Sequence, residues 1–442
     1  MAGTIDVEQL RVGMFIHLDL SWMQHPFPVG SFRITHAQQI DRIRGLGLKQ
    51  LRWSPDKSLL AGEPGAATGF DDALGPPLPP VPDAQMPQAD AAAAPAVETA
   101  AQAAERERRA LLAAQRAAAE LCQKQFDEAG QAWRAALDHV AARPEQARRD
   151  SEHLTRALLD KMLGDGDMCI RLLSGNAGDS ASAHAMNVAV ISLLMGRVLG
   201  LGDEEMLDLG LGALMHDVGK IDLPERLRHA GERHSKDELA DYRSHVAHGV
   251  AHGKRMGLAP GALLVLAQHH EHADGSGFPL RLKLERMSIP ARIVSLVNRY
   301  DSLCNPPALA HAHTPHEALS LLFSQSRSQF DTSLLNAFIR MMGVYPAGSV
   351  VQLTDERYAL VVSVNSTRPL KPNVLVHDPA LPREQALHLN LMELPDLGIR
   401  RSLKPTQLPR DALDFLAPRP RVAYFFESAR AGVVHEEEFD AA

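Results

Sequence analysis

Two short motifs constrain this 442-residue chain more than any other feature: His216-Asp217-Val218-Gly219-Lys220, and further on His269-His270-Glu271-His272-Ala273-Asp274-Gly275-Ser276-Gly277-Phe278-Pro279. Imidazoles and a carboxylate at fixed spacing are the donors that divalent transition metals take, and helices hold such donors in fixed directions. Side chains one residue apart on a helix diverge by about 100°, so adjacent donors reach two different ions. The pair of pairs predicts a helical frame around a metal cluster, with metal-assisted hydrolysis as its chemistry.

The surrounding pattern supplies such a frame. Apolar residues recur at helical spacing over 154–162, 184–199, 204–215, 236–256, 260–270, 288–303, 315–324 and 332–342. Shorter alternating runs at 350–353, 358–364, 374–376 and 422–426 predict strands. At the other end, a strand-like opening over 5–20 with a turn at Gly13, a helix over 36–45 and a strand over 48–53 predict a small α/β unit. The expected organisation is an α/β domain over 1–57, an Ala/Pro-rich flexible linker over 58–96, an Ala/Glu/Arg-rich helix over 97–145, an all-α catalytic body over 146–345, and a β extension and tail over 346–442. The long helix has a thin apolar stripe, which suits either a dimerising, signalling helix or one packed along the body.

A net charge of -8 argues against a broad nucleic-acid surface, whereas a small anionic nucleotide needs only a local cationic pocket. Three scattered cysteines, Cys122, Cys169 and Cys304, make neither a disulfide framework nor a thiolate metal site and fit packing roles in a reducing cytoplasm. The most apolar stretch, 188–201, is interrupted by Arg197 and predicts no membrane span. Most of the 21 histidines must lie outside any one cluster, which takes only about half a dozen.

The stretch from His184 to Asp331 resembles the HD-GYP family, bacterial phosphodiesterases that degrade cyclic di-GMP and a branch of the HD metal-dependent phosphohydrolases. HDxGK, HHExxDGxGFP and Ile-Pro-Ala-Arg-Ile at Ile289 to Ile293 stand in the family's order. Residues 7–14 and Pro26-Phe27 look like the uncharacterised domain that often precedes it, either a sensory module or a structural cap. The resemblance implies a mainly α fold: an HD-type helical bundle with a small N-terminal α/β domain and a short C-terminal β extension.

It also implies a ligand set. His184, His216, Asp217 and Asn298 would hold one ion, and His245, His269 and His270 another, with Asp217 bridging; Fe or Mn would be the metals. Lys220 would bind a phosphate oxygen, Gly275, Gly277, Phe278 and Pro279 would form the substrate loop, and Glu271 and Asp274 would orient imidazoles or order that loop. Asp301, three residues past Asn298, is expected to point elsewhere.

Three positions depart from the family. Asn298 replaces an aspartate and brings no charge, so its ion should be held more weakly. Phe278 replaces the tyrosine. Pro307-Ala308-Leu309-Ala310 replaces a segment that supplies cations for the dinucleotide phosphate. Two functions are therefore expected: a cyclic di-GMP phosphodiesterase of reduced activity, or a degenerate module that binds nucleotide or signalling proteins, as monomer or homodimer, without turnover.

Overall fold

The computed structural model describes residues 3–25, 27, 30–59, 99–162, 168–173, 179–228 and 234–428. Apart from its first two residues, the expected 58–96 linker lies outside these, as does Pro26 and the end of the tail. The chain divides into two units, Met1–Leu20 with Val29–Ala110, and Ser21–Pro28 with Leu111–Ala442.

In the first unit β1 (Gly3–Asp6), β2 (Phe15–His17), β3 (Ser31–Arg33) and β4 (Gln50–Ser54) make an antiparallel sheet in the order β1-β4-β2-β3. Ile16 lies opposite both Trp53 and Phe32 and is fully buried, as is Ile34. The helix α1 (Ala37–Arg44) buries Ile40 and Ile43, one turn apart on a single face.

The long helix α2 (Ala100–His139) is buried only in its second half, along Cys122, Phe126, Ala129, Trp133 and Ala136. That stripe joins the core of the second unit, so this half is a packed helix. It is followed by α3 (Pro144–Met162), β5 (Met168–Leu172), α4 (Ser180–Leu199), α5 (Asp203–Met215), α6 (Lys236–Arg243), α7 (His245–Met256), α8 (Pro260–Gln268), α9 (Ile289–Cys304), α10 (Pro315–Ser324) and α11 (Thr332–Met342). The central element is α4, started by Asp179, whose carboxylate accepts from Ala181 and Ser182 N–H, and stopped by Gly200 at φ 71°. Among the described residues it is the single helix long and apolar enough to cross a membrane, but 78% of that apolar stretch is buried inside the protein.

The fold is mainly α, with a small N-terminal sheet unit and C-terminal strands, as the resemblance implied. Two local expectations are corrected. The continuous helix expected over 236–256 is two helices meeting at Ser244, whose hydroxyl donates to Asp241 carbonyl. Nor is the β region a purely C-terminal extension. The strands β6 (Val350–Leu353), β7 (Tyr358–Asn365), β8 (Asn373–Val376), β9 (His388–Asn390), β10 (Ile399–Leu403) and, after the short helix α12 (Arg410–Leu416), β11 (Tyr424–Ser428) take β5 into their sheet. β5 pairs with β7 on one side and β11 on the other, Ile170 facing Val364 and Phe426. Bundle and sheet share one core, in which Tyr300, Phe338, Tyr424, Phe425 and Phe426 are fully buried.

Candidate metal centre

Three candidate ligand histidines stand at helix ends; of these only His245 was expected well inside a helix, that over 236–256. His216 and His269 cap the C-terminal ends of α5 and α8, and His245 opens α7 directly after α6. Last-turn carbonyls of a helix lack amide partners and are free to accept. Each of these imidazoles uses one: Nδ1–H of His216 donates to Ala213 at 2.8 Å, that of His245 to Tyr242 at 2.6 Å, and that of His269 to Leu266 at 2.9 Å. A carbonyl only accepts, so in all three rings the proton is on Nδ1 and Nε2 carries a bare lone pair. His184, on α4, has its Nδ1 2.6 Å from Asp301 Oδ2, with the same consequence.

Those lone pairs converge on Asp217. His184 Nε2 and His216 Nε2 lie 3.2 Å apart, and 3.6 and 3.4 Å from Asp217 Oδ2. On the other side His245 Nε2 and His269 Nε2 lie 3.4 Å apart, and 3.5 and 3.8 Å from Asp217 Oδ1. The donor atoms of His184, His216 and Asp217, and separately those of Asp217, His245, His269 and His270, fall within 4.8 Å of one another. Ligands about 2.1 Å from a tetrahedral ion stand about 3.4 Å apart, which these separations approach. Asp217 Oδ1 and His270 Nε2 are buried with no hydrogen-bond partner. Buried orphan acceptors of this kind are costly unless something satisfies them, and a ring of lone pairs around a carboxylate is satisfied by a cation. The residues fit a metal.

Electrostatics agree. Burial opposes the charge on Asp217, yet the Lys220 ammonium beside it holds its carboxyl well below the usual range. Burial, foremost, lowers His245 and pushes His269 and His270 far down, keeping these rings neutral. Lys220 Nζ sits 2.6 Å from Asp217 Oδ2 and 5.5 Å from the Tyr242 ring centre. Burial disfavours its charge, but Asp217 and Tyr242 raise its pKa, so it stays a cation.

The glycine of HDxGK has a packing reason. The segment Val218–Asp222 is a short 3-10 helix lying against α7, and a Cβ on Gly219 would stand 1.9 Å from His245 O and 2.4 Å from Gly249 N. Only glycine lets the Asp217 segment approach the backbone of His245 so closely. Asp222 Oδ2 then fastens the two elements, 2.8 Å from His252 Nε2 and 3.1 Å from His248 Nδ1.

Gly275, Gly277, Phe278 and Pro279, expected to form a substrate loop, line a groove of about 550 Å³ together with Lys236, Leu239, Ala240, Arg243, Ser276 and Arg281. Phe278 stacks on His270 at 4.5 Å. Glu271 serves the loop: its fully buried carboxylate accepts from Leu280 N–H at 2.7 Å and Leu282 N–H at 2.8 Å. Asp274 likewise orders the loop, accepting from Ser276 N–H and Ser328 Oγ–H.

Asn298 is 6% exposed on α9, its Oδ1 3.4 Å from Ser302 Oγ. Asp301, expected to point differently from Asn298, lies outside the ring of donor atoms and meets His184 from behind. Asp301 is fully buried; Oδ2 meets His184, and Oδ1 accepts from the side-chain amides of Asn187 at 2.7 Å and Asn305 at 2.8 Å. Both amides also bond Val422 carbonyl, just before β11. A carboxylate, imidazole and lone pair in line is how metal-binding histidines are oriented. Neither Asn187 nor Asn305 belongs to a motif, whereas Asp301 matches a separate position of the family pattern.

Helices presenting a carboxylate between two groups of histidine lone pairs are the donor arrangement of an HD domain, able to hold metal. The HD domain family matches residues 167–334, and a domain of unknown function, DUF3391, matches 3–150, well beyond the 57 residues expected for the N-terminal unit. The chain thus carries an HD domain after a DUF3391 domain, and its curated relatives are cyclic dinucleotide phosphodiesterases like those of the HD-GYP family it resembles. It is 27% identical over 384 residues to a cyclic di-GMP phosphodiesterase of Pseudomonas aeruginosa, covering 85% of each chain. It is 29% identical over 161 residues to a cyclic di-GMP phosphodiesterase response regulator of Xanthomonas campestris, 36% of this chain and 43% of that one. A 3'3'-cGAMP-specific phosphodiesterase of Vibrio cholerae is 27% identical over 159 residues, 36% and 30% of the two chains. Among solved structures, an HD-GYP protein of Bdellovibrio bacteriovorus aligns with 76% of this chain and 98% of its own at 15% identity and a TM-score of 0.40.

Proposed function

We propose that this protein is a metal-dependent phosphodiesterase that hydrolyses cyclic di-GMP in the cytoplasm, using two divalent ions, Fe or Mn. The observation that carries the reading is Asp217, whose two oxygens face two separate groups of imidazole lone pairs. His184, His216 and Asp217, with Asn298, would hold one ion, and Asp217, His245, His269 and His270 the other. When bound, two such ions supply a water acidic enough to attack a phosphodiester at neutral pH and relieve charge on its oxygens. Lys220, kept charged beside Asp217, offers a further cation to a phosphate oxygen. Asp301 fixes the His184 ring with its Nε2 toward Asp217, and the helix-end carbonyls do the same for three other rings. Phe278 stacks on His270 and fixes the plane of its ring. The relatives named for cyclic di-GMP support the choice of substrate, and the cyclic GMP-AMP relative defines its competitor.

A second reading, a module that binds nucleotide or a signalling partner without turnover, is favoured by the neutral amide of Asn298 and by the absence of any cation at 307–310. Full-length protein loaded anaerobically with Fe or Mn separates them. Linear dinucleotide or GMP formed from cyclic di-GMP faster than from 3'3'-cGAMP supports the enzyme; full metal content with no product supports the module.

A further inference from the structure

The cations missing at 307–310 raise the question of where a dinucleotide's charge would be met. The groove outside Phe278 answers it. Its lining holds three cationic side chains, Lys236, Arg243 and Arg281, and no carboxylate. None of the three has an ion-pair partner among the described residues, although Glu238, nearby on α6, is taken by Arg226. Unpaired like charges gathered in one concavity repel each other, and an anion relieves that cost.

Two of the three are held in place. The Arg243 guanidinium lies 5.0 Å from the centre of the Phe278 ring. Since Phe278 stacks on His270 with an interplanar angle of 19°, the order His270, Phe278, Arg243 puts the groove one ring away from the metal centre. Arg281 has φ 54°, a left-handed conformation that residues with a Cβ adopt at a cost. That conformation is enforced from both sides, because Glu271 accepts from the N–H groups of Leu280 and Leu282, the residues flanking Arg281. A fully buried glutamate thus holds an arginine in a strained turn beside the groove where glycine or asparagine would sit without strain. Strain kept at such a position marks a functional demand on the side chain.

We propose that Lys236, Arg243 and Arg281 form the binding site for the second phosphodiester of the cyclic dinucleotide, the one not being cleaved. The proposal rests on the phosphodiesterase reading. A cyclic dinucleotide carries two phosphates in one ring, so engaging one at Asp217 presents the other, still anionic, to the surroundings. The groove replaces, from α6 and the loop after His270, the charge absent at 307–310.

The test uses the full chain loaded with Mn. Lys236→Glu, Arg243→Glu and Arg281→Glu alter exposed side chains, and Arg281→Gly removes the cation while relieving the backbone. Each charge-assisted phosphate contact is worth about tenfold in binding, so every variant should raise KM for cyclic di-GMP by about that factor. Hydrolysis of bis(p-nitrophenyl) phosphate, which has one phosphate and needs only the metal centre, should change by less than about twofold. An unchanged KM for cyclic di-GMP overturns the proposal, and so does an equal loss on both substrates, which would make these residues supports of the metal centre. If the wild-type protein cleaves neither substrate, the phosphodiesterase reading fails and calorimetry with cyclic di-GMP decides the groove separately. Weaker binding by the variants than by wild type sustains it; no binding by wild type, or equal binding by all, overturns it.

Discussion

Replacing Asp301 with asparagine tests the orientation of the metal centre without touching a proposed ligand. The carboxylate accepts from His184 Nδ1–H at 2.6 Å and from the amides of Asn187 and Asn305 at 2.7 and 2.8 Å. Asparagine has one acceptor where three donors meet. If its oxygen stays with the two amides, its NH2 faces His184, the ring must accept at Nδ1, and the proton moves to Nε2, the atom aimed at Asp217 and His216. If it flips, His184 keeps its tautomer and two buried amide donors lose a bond, at about 1–3 kcal/mol each. The first outcome costs the His184 side of the centre about 10–100-fold in metal affinity, the usual effect of losing such a partner. The group around His270 does not involve Asp301 and keeps its ion. Metal per chain, measured by mass spectrometry after dialysis against graded chelator, should fall from two to one in Asp301→Asn, with a thermal midpoint lowered by only the flip's cost or less. Two ions retained at wild-type affinity, together with an unchanged midpoint, would refute the argument.

Gly219→Ala should be among the most damaging single changes, since its Cβ would stand 1.9 Å from His245 O; separation of the Asp217 segment from α7 is expected to cost more than about 4 kcal/mol in chemical denaturation and to strip metal. Lys220→Ala should leave metal in place and slow turnover, read as a lower kcat with unaltered metal content; loss of metal would make Lys220 structural. Asn298→Asp adds a charged, near-isosteric oxygen, so metal affinity and any diesterase rate should rise together, and should not rise when Asp217→Ala is also present. A rise in metal content without turnover would move the limiting defect to 307–310.

What the sequence made legible follows from periodicity and from motif order. The helices over 315–324 and 332–342 and the strand over 350–353 have the bounds that their apolar spacing predicts. The donor residues were legible because HD and HH place adjacent metal-binding side chains that ordinary cores have no use for. Their setting was legible only in part: the expected ends at 215 and 270 stand at His216 and beside His269, but the break that places His245 at the start of α7 leaves no mark in the apolar spacing of 236–256. The role of Asp301 behind His184 was not legible because it depends on Asn187, 114 residues away, and Asn305, which meet it in the folded chain. β5 was missed because a short, fully buried run such as 168–172 carries no alternation to distinguish it from helix. The tie between Asp222 and His248 and His252 lay hidden among 21 histidines, most of which do no such work.

The central claim is that Asp217 is shared between two ions, one on each oxygen. Anomalous diffraction from crystals of the full chain grown with Mn tests it directly. The expected result is two peaks about 3.5–4 Å apart, one beside His184, His216 and Oδ2, the other beside His245, His269, His270 and Oδ1. A single peak, or peaks that leave Asp217 bound through one oxygen only, would contradict it.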